Sequence, residues 1–179
     1  MHQLKKSATL SLIALICTGY LADQIFPDFY RYTALFGPLV TAGEYWRLFT
    51  VALVHGGLTH LFFNMFSLLI LGNPIEAALG KTRFLVVFFI SLLTGSLASI
   101  YLTSVPHVSV GASGAIFGLF GAFIALRNRI NEGARDIYVI IGLNFVLGFV
   151  IGGIDWRAHL GGLIGGYLTT ALLLRITRV

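Results

Sequence analysis

The chain carries six apolar runs, the first followed by a long loop and the others joined by short polar connections. The runs lie at about Ser7 to Phe26, Thr59 to Ala78, Arg83 to Val105, Ser113 to Leu126, Ile137 to Ile154 and Ala158 to Leu174. Their length, with charges kept toward the ends, predicts membrane-spanning helices. The close spacing leaves no room for a linker, so residues 1–179 are expected to form a single membrane domain without a separate soluble one. Pro27 to Gly57 is the longest connection and carries Pro27, Asp28, Pro38 and Glu44 among the aromatics Phe29, Tyr30, Tyr32, Phe36, Tyr45 and Trp46. That mixture suits a segment half sunk in the membrane interface. The expected architecture is an all-α bundle of six transmembrane helices with a long interfacial first loop.

Composition agrees with this pattern. Hydrophobic residues make up 57% of the chain and charged ones 11%, and the mean hydropathy is +0.89. Those values fall outside the range of water-soluble domains. The net charge of +5 does not imply nucleic acid, because the basic residues cluster at the ends of apolar runs, where anionic headgroups lie. The lipid bilayer is the expected partner. Lys5, Lys6, Lys81, Arg83, Arg127, Arg129, Arg135, Arg175 and Arg178 fall on one side, and Arg31, Arg47 and Arg157 on the other. This asymmetry places both termini in the cytoplasm. The first run follows His2, Lys5 and Lys6 but precedes five more, so an uncleaved helix is expected rather than a signal peptide. Cys17 is the single cysteine, which excludes an intrachain disulfide.

Helix length adds depth to the argument. From Ser113 to Arg127 the fourth run covers about 20 Å of a hydrocarbon core about 30 Å thick. From His159 to Arg175 the sixth covers about 24 Å, and from Asn64 to Lys81 the second covers about 26 Å. Ser113, His159 and Asn64 are therefore expected below the outer surface, with His60 one turn shallower. Non-helical backbone at that depth must line a wet cavity or be buried in protein. The four-residue spacings Gly114/Gly118, Gly161/Gly165 and Gly162/Gly166 allow close helix approach.

A serine among small residues is, by itself, more often packing than chemistry. A histidine at matching depth changes the weighing, because a hydroxyl with a base beside it is what nucleophilic hydrolysis needs. Ser113 and His159 are thus the candidate catalytic pair. His60 and Asn64, four residues apart on one helix face, offer donors for an oxyanion or an interhelical hydrogen bond. His55 and His107 read as interfacial or loop residues, and Asn144 as interhelical glue. Asp155 either orients the His159 imidazole from one turn before it or is solvated on the outer loop. No H-E-x-x-H occurs and no carboxylate lies near His60 to complete a ligand set, so neither metal nor cofactor is expected.

These residues resemble the rhomboid family of intramembrane serine proteases. Gly111-Ala112-Ser113-Gly114 is similar to its G-x-S-G motif, and Ala158-His159 with Gly162 and Gly166 to its A-H-x-x-G-x-x-x-G motif. His60 with Asn64 is similar to its H-x-x-x-N motif, and Glu44 with Trp46-Arg47 to its first-loop tryptophan-arginine pair. Phe117 stands where many members have a tyrosine packed on the histidine, and Trp156 where many have asparagine. The resemblance implies a minimal six-helix core in a bacterial cytoplasmic membrane. It further implies a serine endopeptidase cutting the transmembrane helix of another membrane protein near its outer end. Ser113 and His159 would form the dyad, and Asn64, His60 and the Ser113 backbone N–H the oxyanion hole. Entry would be past the fifth helix, with Asp155 to Arg157 as a lid and Gly148, Gly152 and Gly153 lending flexibility. The rivals are a non-catalytic rhomboid-like protein that binds membrane clients and, further off, a small transporter. Pseudoproteases usually lack the serine or the histidine, and both are present. No inverted repeat supports a transporter. Oligomeric state is not legible.

Overall fold

The computed structural model describes residues 7–127, residue 130 and residues 155–176. The expected fifth run lies outside the described residues, with Asn144, Gly148, Gly152 and Gly153. So do Lys5, Lys6, Arg129, Arg135 and Arg178. Each of the other five runs forms a helix: α1 (Ala8–Ile25), α5 (Leu58–Leu79), α6 (Lys81–Tyr101), α7 (Ser113–Ala125) and α8 (Trp156–Ile176). Four of these are long and apolar enough to cross a membrane, and α7 is the shorter apolar helix that the spacing of Ser113 and Arg127 predicts.

The core is apolar, with Leu68, Phe84, Phe120 and Phe123 fully buried, yet it also encloses polar groups, and the outer surface is apolar too. Asn64, Ser67, Ser91, Ser96, Ser99, His159 and Thr170 are buried, while Leu15, Leu21, Phe62, Phe66, Ile164 and Leu172 face outward. Small and polar side chains let helix backbones approach, and large apolar ones match the lipid. The described helices are those of an integral, multi-pass membrane protein. α7 lies at the centre, with every residue from Gly114 to Phe123 buried. A helix apolar all round belongs either in a protein core or in a membrane span, and α7 meets both conditions.

Two stripes of glycine seat α8. A Cβ on Gly162 would collide with the Gly114 carbonyl, and one on Gly166 with the Gly118 carbonyl, so this stripe lies on α7. A Cβ on Gly161 would meet the Thr94 carbonyl at 2.6 Å, so the neighbouring stripe lies on α6. At the other end of the bundle, Glu76 of α5 holds the start of α1. Its carboxylate accepts from the Ala8 and Thr9 amides at 2.7 and 2.9 Å and from the Ser7 and Thr9 hydroxyls at 3.0 and 2.7 Å. The two amides are helix-end donors that no intrahelical carbonyl can satisfy.

The structure adds detail to the expected pattern. The first loop forms α2 (Phe29–Thr33), α3 (Gly37–Thr41), α4 (Arg47–Thr50) and a 3-10 turn at Val51–Leu53. The fold is mostly helical, as expected of an all-α membrane protein, with one short pair in which β1 (Leu35–Phe36) runs antiparallel to β2 (Val108–Ser109). The third helix stops at Tyr101 instead of Val105, because Leu102 leaves helical geometry and the Thr103 hydroxyl turns the chain by donating to the Val105 carbonyl at 2.8 Å.

Candidate active site

Arg47 organises the first loop. Its guanidinium, 3% exposed, donates to Glu44 at 2.6 Å and to the Arg31 and Ala34 carbonyls at 2.8 and 2.7 Å. Trp46 Nε1 donates to the Tyr32 carbonyl at 3.0 Å, and the Ser96 hydroxyl of α6 donates to the Leu48 carbonyl at 2.8 Å. The loop is therefore a scaffold bolted to the bundle. It grips the segment ahead of Ser113 twice, through the β1–β2 pair and through the Gly111 amide, which donates to the Val51 carbonyl at 2.9 Å.

Gly111 is required on two counts. Its φ is +107°, a conformation that side chains resist, and a Cβ there would stand 2.8 Å from the His60 ring. That turn delivers Ser113 as the first residue of α7. Across the α7–α8 interface, His159 Nε2 lies 2.9 Å from Ser113 Oγ. His159 is 7% exposed, and its imidazole stacks on Phe117 with ring centroids 3.9 Å apart and planes at 8°. Phe117 thus supplies the stacking expected of an aromatic one turn after the serine, without a phenol hydroxyl.

His60 and Asn64 approach from α5. The Gly56 amide donates to His60 Nδ1 at 3.3 Å, which leaves the proton on Nε2. Nε2 faces the turn at Gly111, 3.0 Å from where a Cβ would stand. Asn64 Nδ2 donates to the His60 carbonyl at 2.9 Å, and its buried Oδ1 has no hydrogen-bond partner among the described residues. Among the described residues the amide bonds within its own helix, not across helices, and one of its two N–H groups remains for another acceptor.

His55 is a loop residue, as its position suggests, but it is buried at 3% exposure and packs edge-on to His60 at 5.1 Å. Burial first, and then the neighbouring His60, pushes its pKa down to about 3. Asp155 neither bonds the His159 side chain nor stands free in solvent. It accepts from Ser99, from His107 Nε2 at 3.1 Å and from the Arg157 and Ala158 amides at 3.2 and 3.3 Å. Burial alone would raise its carboxyl, but the bonds from Ser99, His107 and Ala158 hold it below the usual carboxylate range.

Sequence reasoning did not single out Glu76 or the Asp155 network, and it reached Arg47 only through resemblance. The available signal was a charged side chain beside or within an apolar run, which is costly unless paired. Among the described residues no group of three or more His, Cys, Asp or Glu side chains gathers as a metal site.

The family model described as the Rhomboid domain matches residues 42–176. Among curated proteins, the chain is 42% identical over 140 residues to rhomboid protease GluP of Bacillus subtilis (strain 168), covering 75% of this chain and 27% of GluP. It is 39% identical over 138 residues to the rhomboid protease candidate YdcA of the same strain, covering 74% of this chain and 69% of YdcA. It is also 37% identical over 129 residues to inactive RHOMBOID-like protein 8 of Arabidopsis thaliana, covering 68% of this chain and 36% of that protein.

Proposed function

The chain belongs to the rhomboid family, and from that premise we propose that it is an intramembrane serine endopeptidase acting through Ser113 and His159. The observation that supports this most is the 2.9 Å approach of His159 Nε2 to Ser113 Oγ between residues 46 positions apart. In this reading the Ser113 hydroxyl attacks a peptide carbonyl while His159 Nε2 takes its proton and returns it to the leaving amine. Water then clears the acyl-enzyme by the same relay. Phe117 holds the imidazole plane through its stacked ring. The oxyanion would be met by the Ser113 backbone N–H, the free N–H of Asn64 and His60 Nε2, each good donor contributing about 3 to 4 kcal/mol to the transition state.

The substrate class is the transmembrane helix of another membrane protein, cut near its outer end. The basic residues support an orientation with both termini in the cytoplasm, and the likeness to the two Bacillus subtilis proteins supports the cytoplasmic membrane of a bacterium. We read residues 1–179 as one membrane domain.

The chemistry is tested by labelling the purified chain in detergent with a fluorescent fluorophosphonate, beside cleavage of a reporter transmembrane helix. Wild type should label and cleave. Ser113→Ala should lose the label, and both Ser113→Ala and His159→Ala should lose cleavage by at least about a thousandfold. Cleavage surviving in either variant would remove the dyad. An inert wild type would favour the client-binding reading, which the likeness to an inactive relative keeps in view.

A further inference from the structure

Outside the dyad, polar contacts converge on Asp155, the residue just ahead of α8. One carboxylate oxygen accepts from the Arg157 and Ala158 amides at 3.2 and 3.3 Å, capping the helix that carries His159. The other accepts from the Ser99 hydroxyl, in the last turn of α6, and from His107 Nε2 at 3.1 Å. His107 directly precedes β2 and the turn that delivers Ser113. The Asp155 side chain is 9% exposed.

This Ser, His and Asp set is not a second triad. The carboxylate bonds the hydroxyl directly, and the Ser99 oxygen and Asp155 share one imidazole nitrogen, Nε2, at 3.5 and 3.1 Å. A triad needs the imidazole between the other two, with one nitrogen for each. The set instead ties three chain segments to one carboxylate. Arg157 reinforces the tie: its Nε donates to the Leu102 carbonyl at 2.8 Å, fastening the start of α8 to the end of α6.

We propose that Asp155 is a positioning residue for cleavage, holding the base-bearing helix and the nucleophile-bearing loop on a single carboxylate so that Ser113 and His159 stay within hydrogen-bond reach. This rests on the proteolytic reading above. A displacement of about 1 Å between reacting groups can cost about a hundredfold in rate. His107 Nδ1 faces the Val105 carbonyl at 3.4 Å and its Nε2 faces Asp155, both acceptors. A ring with its proton on Nε2 donates to the carboxylate. Among the described residues, the charged or titratable groups beside this centre are His107 from the loop, Arg157 at the start of α8 and His159 one turn further on.

Asp155→Asn separates the two roles of this side chain. Asparagine caps a helix about as well as aspartate, but it places an NH2 where Ser99 and His107 need an acceptor. The variant should melt close to wild type in detergent, while fluorophosphonate labelling and reporter cleavage fall about tenfold, in kcat and not in KM. His107→Gln keeps an N–H donor for the carboxylate and should retain more activity than His107→Ala, which has none. The double variant Asp155→Asn/His107→Ala should be no worse than Asp155→Asn alone.

Should Asp155→Asn fail to assemble, the rescue of kcat in His107→Gln relative to His107→Ala carries the same test. An active wild type with equal kcat in the variants would overturn this proposal alone, as would a loss that tracks unfolding. A wild type that neither labels nor cleaves would overturn it together with the proteolytic reading.

Discussion

His55 has neither ring nitrogen hydrogen-bonded among the described residues, and its pKa is pushed from 6.5 to about 3. Between those values the unfolded chain takes up a proton that the folded one refuses. Stability from this residue is therefore complete above about pH 6.5 and declines steadily as pH falls toward 3. Melting in detergent should show the midpoint of wild type dropping between about pH 7 and pH 4 more steeply than that of His55→Phe, which has no imidazole to protonate. Parallel pH curves for the two would refute this account. Ser113, His159, His60 and Asn64 were all legible as candidates, because a polar group inside an apolar run stands out. Their partners were less so. The sequence places Asp155 one turn before His159, but the carboxylate turns to Ser99 and His107 from distant segments, a choice that local spacing cannot express.

The critical elements are α7 and α8, since one bears the hydroxyl and the other the imidazole. Their glycine spacing is visible in the sequence, and it allows close approach without saying to which neighbour. Gly161/Gly165 and Gly162/Gly166 are stripes about 100° apart around the helix. The tertiary structure assigns the first to α6 and the second to α7. Gly162→Ala should force α8 away from the Gly114 carbonyl, costing about 1–3 kcal/mol and lowering the Ser113 labelling rate at least tenfold. Gly161→Ala presses on α6 instead, and should destabilise the chain with a smaller loss of labelling. Thermal melts and labelling rates of the two variants check this, and equal labelling in both would contradict the assignment. The first loop shows the reverse case. Its aromatics and prolines read as an interfacial connection, whereas the buried Arg47 gives it fixed short helices through carbonyls 13 and 16 residues away.

For the whole molecule, the distribution of basic residues argues for both termini in the cytoplasm. A fluorescent protein fused to the C-terminus should fluoresce in intact bacteria and an alkaline phosphatase fused there should stay inactive, with the reverse result contradicting the orientation. Of the three basic residues counted on the outer side, Arg47 is buried in a hydrogen-bonded site, so its charge serves folding more than topology. By itself the sequence determined the membrane class, the helical runs and the residues able to carry chemistry. Those follow from one-dimensional quantities, namely run length, hydropathy and the cost of a polar group among apolar ones. Only the tertiary structure decided that Ser113 and His159 meet at 2.9 Å, that Phe117 stacks on the imidazole, and that Asp155 and Glu76 each fasten separate segments. Hydrogen bonds and ring stacking act over a few ångströms between residues far apart in the chain, so they exist only once the helices have packed.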